Sequence, residues 1–492
     1  MAITPGGNLN ITPSSRQATL STNYLDFTTT DGSGADGWAQ QYLPDLMEKE
    51  AEVFGKRTVS GFLAQVGAEE AMSSDQVVWS EQGRLHLTFT GTVGTANVST
   101  IQLDFDVDGQ DVGTAHGVRL NDLVLLASSA GKTVRGFVSQ INSDTGGAQN
   151  SGLTDFITVA PYDFEHLDNA GFGDADLITM MVFGSEYAKG KAGQTTANEP
   201  SFKSYSNKPV IIKDMYQVSG SDTSAIGWVE VTGEEGQNGY LWYLKAEGDT
   251  RARFTDHLEM TMVEGQRAKE ASIVQGAANN AVGIHGTEGL FAAIEDRGNK
   301  SSGITGINAA TDLAEFDAIL TEFDKQGAIE ENMMFVNRGT SLAMDDMLAS
   351  MNSYGAGGTS YGVFNNNEDM ALNLGFSGFR RGSYDFYKSD WKYLNDAGTR
   401  GAINARDTVN AVRGVMIPAG VTSVYDEVLG KNLKRPFLHI RYRASQMESR
   451  KFKTWTTGSV GAETTDIDKM MVHYLSERCL IVQGANNFMM LN

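Results

Sequence analysis

GSEYAKGKAGQTTANEPSFKSYSNKPVIIKDMYQVSGSD, residues 184–222, has strand-like ends around a long polar middle. It carries Lys189, Lys191, Lys203, Lys208 and Lys213 in a chain whose formal net charge is −22. Such a segment buries little against itself, so 185–225 is expected to form a long hairpin or extended loop that gains stability on a neighbour. Downstream, 238–271 is the longest helical candidate: Tyr240, Leu244, Phe254, Leu258 and Met262 share one side, interrupted by Glu247 and Arg251. Upstream, the pattern is β. Alternating runs at Arg84–Phe89, Thr100–Val107, Asp122–Leu126, Thr133–Ile141 and Phe156–Val159 are punctuated by Gly, Asp, Asn and Ser. Five short strands at this spacing predict a small barrel or sandwich over 84–165, with 166–184 as a linker.

Further out, residues 1–36 are rich in Ser, Thr, Gly and Asn and read as an extended arm. In 37–55, Asp36 can cap a helix on which Trp38, Tyr42 and Leu46 recur every four residues. Residues 280–430 alternate helical pieces (Leu313–Phe323, Leu342–Met351) with short strands (Phe335–Val336, Val415–Ile417), and 352–368 reads as a polar loop. The end returns to β, with Phe437–Arg443 and Lys451–Trp455 expected to pair and a last extended segment in Leu475–Asn492.

At 492 residues and 40% hydrophobic content the chain can bury two to four cores. Its acidity is a poor match for a DNA-binding surface. The one cysteine, Cys479, excludes an intrachain disulfide framework and any multi-cysteine zinc site. The N-terminal stretch has no basic and apolar leader pattern, and apolar runs such as Leu177–Phe183 are far shorter than a membrane span. Production in a cytoplasm is expected.

Motifs that suggest chemistry fail on inspection. Ser128–Thr133 ends like a phosphate loop, but Leu126 replaces the required glycine and a strand follows where a helix is needed. Asp104, Asp106 and Asp108 open like a calcium loop, yet the twelfth position is Ala115. His257-Leu258-Glu259 lacks a following cysteine pair, and His473 and Cys479 lie six residues apart. No catalytic residue, cofactor or metal site is expected. Charge is segregated instead. Residues 431–454 hold Lys431, Lys434, Arg435, Arg441, Arg443, Arg450, Lys451 and Lys453 against one acid, Glu448. Residues 312–331 hold seven acids, which predicts contacts between copies of the chain, with nucleic-acid contact as the second option.

The order of segments resembles a known family. Trp79-Ser80-Glu81, Ser204-Tyr205-Ser206-Asn207, Tyr216-Gln217-Val218-Ser219-Gly220, Asp256-His257-Leu258-Glu259, Gly286-Thr287-Glu288-Gly289-Leu290 and Gly484-Ala485-Asn486-Asn487-Phe488 fall in the sequence of segments seen in tailed-bacteriophage major capsid proteins of the Hong Kong 97 type. The larger subunits of crAss-like and T-even-type phages are the nearer likeness. The resemblance implies an α+β fold: an arm (1–36), a peripheral domain (37–83, 226–279 and the return strands 431–492) with a spine helix, an extended loop (185–225) and an axial domain (280–430). It implies a non-enzymatic tile that assembles as hexamers and pentamers into an icosahedral head, in the host cytoplasm. The head would enclose double-stranded DNA without sequence-specific contact. Portal, scaffold and decoration proteins are the implied partners, and no membrane is involved. The subunit-interface candidates are Phe202, Lys203, Tyr205, Lys208, Lys213, Arg441, Arg443, Arg450, Lys451 and Lys453. Another virion or surface structural protein, such as a tail tube or adhesin, is the alternative, followed by an enzyme.

Overall fold

The computed structural model describes residues 61–63, 68–84, 86–94, 96, 99–107, 109, 111–112, 116–142, 156–194, 202–221, 231–232, 238–239, 241–269, 284–327, 329–353, 378–406, 411–419, 421–426, 431–459 and 463–492. The expected arm at 1–36 and helix at 37–55 lie outside them, as does most of 352–368. The chain divides into two compact units. One comprises Ser80–Tyr205, and the other joins the residues up to Trp79 with Ser206–Asn492.

The first unit is a closed antiparallel barrel of six strands. Around the barrel they run Thr88–Val93, Thr100–Asp106, Phe156–Pro161, Thr133–Asn142, Asp122–Ser128 and Leu177–Ser185, which closes on the first. Alternation sends Ile101, Leu103, Val124, Leu126, Val134, Val138, Ile157, Val159 and Met180 inward, where each is buried. Burying one such side chain is worth about 1.5–3 kcal/mol. A bulge at Thr90/Gly91 bends the first strand, and a Cβ on Gly91 would collide with the Gln102 carbonyl. Four of the five expected strands are present, and the first starts at Thr88 and runs to Val93 rather than over Arg84–Phe89. The sixth lies in Leu177–Ser185, within the stretch expected to be a linker, so the barrel unit extends past residue 165. Ser128–Thr133 is a plain hairpin turn closed by the Ser128 N–H on the Lys132 carbonyl, with Gly131 at φ 79°.

The second unit centres on the 14-residue strand Lys469–Val482. Val210–Ser219 pairs antiparallel along one edge, matching Val210 to Arg478 and Ser219 to Lys469. The other edge is shared by Leu438–Arg443, which matches Tyr442 to Arg478, and Lys453–Gly458, which matches Lys453 to Leu475. These two strands were expected to pair with each other. They instead follow one another along the same neighbour, and 444–452 leaves the ladder between them. Ala68–Met72 adds in parallel outside Leu438–Arg443. One face of this sheet is covered by the helix Leu241–Glu264, shorter than the expected 238–271 and about 36 Å long. Phe254 and Leu258 of the helix pack on Val472 and Tyr474 of the strand.

A second sheet of the same unit runs Asn299–Ser301, Met489–Leu491, Gly414–Pro418, Glu331–Val336, Tyr384–Asp390, Gly378–Arg381. The helices Ala309–Gln326 and Arg338–Ser353 bury Phe316, Phe323, Met344, Met347 and Leu348 in the core shared with its Phe386 and Met416. Asn308 caps the first of these helices by accepting from the Thr311 N–H at 2.9 Å, and Gly327 ends it at φ 64°. The chain is thus a mixed helix-and-sheet protein with an inserted closed barrel. Among the described residues no helix is long and apolar enough to cross a membrane.

Candidate assembly surface

The strand Leu438–Arg443 places Arg441 and Arg443 on the same side, and its parallel neighbour supplies acids beside them. Glu70 stands opposite Arg441 in register and pairs with it at 2.7 Å. Arg443 pairs with Asp75 and reaches Glu477 at 3.3 Å, while Arg450 reaches the same Glu477 at 3.0 Å. Lys451 pairs with Glu69, and Lys453 with Glu448 at 2.8 Å. Glu477 is buried between the two guanidinium groups that pair with it. Arg478 is also buried: it donates to the Ser476 hydroxyl at 2.9 Å and the Lys451 carbonyl at 2.8 Å, with Glu69 at 3.8 Å. Burial pulls its pKa down, against the pull of Glu69. The Asp75 hydrogen bond raises that of Arg443.

The basic block was expected to meet acids on other copies. Five of its members, Arg441, Arg443, Arg450, Lys451 and Lys453, already have acidic partners within the chain. The acidic stretch is engaged in the same way. Asp312 accepts from the Gly306 N–H at 2.8 Å, Glu315 from the Thr305 N–H at 2.8 Å, and Asp324 from the Tyr384 hydroxyl at 2.7 Å. Asp317 holds Arg381 at 2.5 Å, and Glu322 holds Lys325 at 2.7 Å. Sequence alone could not show most of this, because three of these acids, Glu69, Glu70 and Asp75, lie more than 350 residues from the block.

The extended-loop candidates separate. Phe202, Lys203 and Tyr205 lie on the strand Phe202–Asn207, which pairs with Val77–Gln82. Lys203 is exposed, its ammonium 5.7 Å from the centre of the Tyr205 ring. Lys208 is half-buried and leads into Val210–Ser219. Phe202–Asn207 and Val210–Ser219 therefore take different partners and do not pair with each other. Between them, Asn207 is fully buried and saturated. Its amide donates to the carbonyls of Leu480 at 2.7 Å and Glu288 at 3.0 Å, and its oxygen accepts from the N–H of Glu288 at 2.9 Å and of Lys208 at 2.8 Å. In the sequence Asn207 belongs to the Ser204-Tyr205-Ser206-Asn207 stretch of the family resemblance. It is a structural tie, and no sequence pattern marks it.

Lys213 is exposed on the sheet face away from the long helix. There a row crosses three strands, Met215, His473 and Trp455 in register, over a concavity of about 400 Å³. Trp455 stacks on His473 at 5.1 Å, and Thr457 Oγ1 lies 2.7 Å from His473 Nε2. A hydroxyl beside an imidazole is the beginning of a nucleophile–base pair, but catalysis also needs an acid to orient the ring and donors for an oxyanion. No such orienting acid is recorded among the described residues. Cys479, on the same strand, is buried and its pKa is pushed up to about 12, which makes it inert. Glu259, in the deaminase-like triplet, is occupied structurally: its carboxylate accepts the N–H groups of Gly61 and Phe62, both at 2.7 Å, and of Leu63 at 3.3 Å. No group of His, Cys, Asp or Glu arranged to hold a metal exists among the described residues.

No family model and no curated protein matches the chain. Among solved structures it is similar to a chain from the capsid of the cyanophage P-SCSP1u, at 7% identity and TM-score 0.40, covering 96% of this chain and 98% of that one. It is similar also to a chain of the capsid of a native GTA particle, at 9% identity and TM-score 0.37, covering 94% and 98%. A third similar chain comes from Microbacterium phage Oxtober96, at 10% identity and TM-score 0.36, covering 91% and 95%.

Proposed function

We propose that the chain is the major capsid protein of a tailed bacteriophage, a non-enzymatic tile of the virion head. The observation that carries this is the order of its parts along the chain. A paired excursion (Val77–Gln82 with Phe202–Asn207) precedes a 24-residue helix laid on a sheet, an α/β layer follows, and the last long strand returns to fill the centre of the first sheet. That order is the one the family resemblance implies. In this function the tiles assemble as hexamers and pentamers and close into an icosahedral shell around double-stranded DNA. The paired excursion lies across an adjacent subunit, the arm reaches another, and copies of the 280–430 region meet around the capsomer centre. Net negative charge suits a shell along which packed DNA must slide without sticking. Many weak contacts repeated over closed symmetry give such a shell its stability.

The test is light-scattering mass and electron microscopy on one purified sample, alone and with the other structural proteins of its source. Rings of five or six copies, or closed shells, are the expected result. A strictly monomeric particle in both samples would overturn the assignment.

A further inference from the structure

A closed barrel buries one side of each strand and turns the other to water, so its outer wall should be polar. Part of this barrel keeps to that rule: Thr88, Thr90 and Thr92 occupy the outer side of the first strand. The neighbouring wall does not. Its outer side carries Phe137 on Thr133–Asn142, Leu123 and Leu125 on Asp122–Ser128, and Met181 and Phe183 on Leu177–Ser185. Register makes them contiguous, because Leu123 stands opposite Phe137 and Leu125 stands opposite Met181. Tyr162 extends the patch by packing its ring 6.0 Å from that of Phe137. Met181 is 41% exposed, Phe183 48% and Tyr162 50%. The barrel core is complete without these residues. Such a contiguous apolar patch on the outside of a folded unit marks a contact surface.

We propose that this wall docks against the same wall of a second copy of the chain. Charge favours a copy over another partner. The patch carries an exposed cation, Arg135, opposite Leu125 in register, and an exposed anion, Glu186, which accepts a hydrogen bond from Tyr162. Opposite charges on one patch are self-complementary under a two-fold axis: Arg135 of each copy meets Glu186 of the other. A partner of single charge would match only half the rim. The inference does not depend on the capsid assignment, since it concerns the barrel wall alone.

The test uses the full-length chain with Met181→Cys at the centre of the patch. Gln102→Cys, on a strand across the barrel, is the control. The native thiol is buried and silent. Under mild oxidation Met181→Cys should give a disulfide-linked dimer on a non-reducing gel, more than about tenfold faster than the control. Adding Arg135→Glu should slow the cross-link, and adding Glu186→Arg to that variant should restore it. Equal rates for the two cysteines, or no dimer from Met181→Cys, would overturn the proposal. So would a thiol at 181 that resists maleimide in dilute monomer, which would place another part of the same chain on the wall. Far-ultraviolet circular dichroism on each variant keeps misfolding from passing as a negative result.

Discussion

The barrel and the sheet around Lys469–Val482 solve the same problem, burying one face of a set of strands, in opposite ways. The barrel draws its strands from about 100 consecutive residues, half of its pairings join strands that follow one another in sequence, and its inward positions are mostly apolar. The sheet collects strands from 68–72, 210–219, 438–443, 453–458 and 469–482, and fastens its edge with charge. Local pairing closes short loops and can form early, whereas distant strands must close long loops before any contact rewards them. The difference teaches where a specific fastening is needed: Glu477 and Asn207 sit where the chain joins parts far apart in sequence.

Core deletions give the largest expected effects and the most direct way to break this contrast. Leu126→Ala should cost the barrel about 2–5 kcal/mol, and Phe254→Ala should cost the sheet-and-helix unit about 3–5 kcal/mol. Each should move one thermal transition in calorimetry and leave the other in place. A single transition moved by both substitutions would show that the local unit does not stand by itself. Glu477→Gln comes next. It weakens the hold on Arg443 and Arg450, both partly exposed, so the expected loss is about 1–3 kcal/mol. It should appear in the denaturant midpoint of the same transition as Phe254→Ala, and a shift in the barrel's transition would contradict the assignment of the network.

The smallest effect concerns pH. Burial raises the pKa of Glu259, although the N–H groups of Gly61, Phe62 and Leu63 and the neighbouring Asp256 also act on it, the first three downward and the last upward. A carboxyl that keeps its proton to higher pH in the folded chain contributes stability below its ordinary value, near 4.5, and loses it as pH rises through the raised one. Glu259→Gln should therefore flatten the fall of stability over that window for the sheet unit. Asp122 sharpens the comparison. Burial raises its pKa too, but it is held within three residues by the Arg119 N–H at 2.8 Å. Asp122→Asn should flatten the corresponding fall for the barrel alone. The measurement is a series of urea midpoints across the window, and an unchanged slope in either variant would remove that group from the account.

Legibility in the sequence followed the same divide. Four barrel strands could be read because alternation and turn residues are local signals, while the first was placed several residues early, at Arg84–Phe89 instead of Thr88–Val93. Leu177–Ser185 escaped because Leu177, Met181 and Phe183 are apolar on the outside, which erases the alternation a half-wet strand shows. The long helix was legible from Phe254, Leu258 and Met262, and its ends less so. The pairing of Glu70 with Arg441 had no signal at all, since nothing local ties residues on strands so far apart in sequence. The basic block was therefore visible as composition, while its distant partners Glu69, Glu70 and Asp75 were invisible.

The chain enters the barrel unit through Val77–Gln82 and leaves it through Phe202–Asn207, two strands that pair with each other. In the terms of genome rearrangement, that is a cassette with adjoining ends. A recombination event could delete the intervening segment, or exchange it for another folded unit with neighbouring termini, while the reading frame on either side still supplied both halves of the pair. The same geometry makes the junction a place where foreign cargo could be carried without rewriting the strands that build the central sheet.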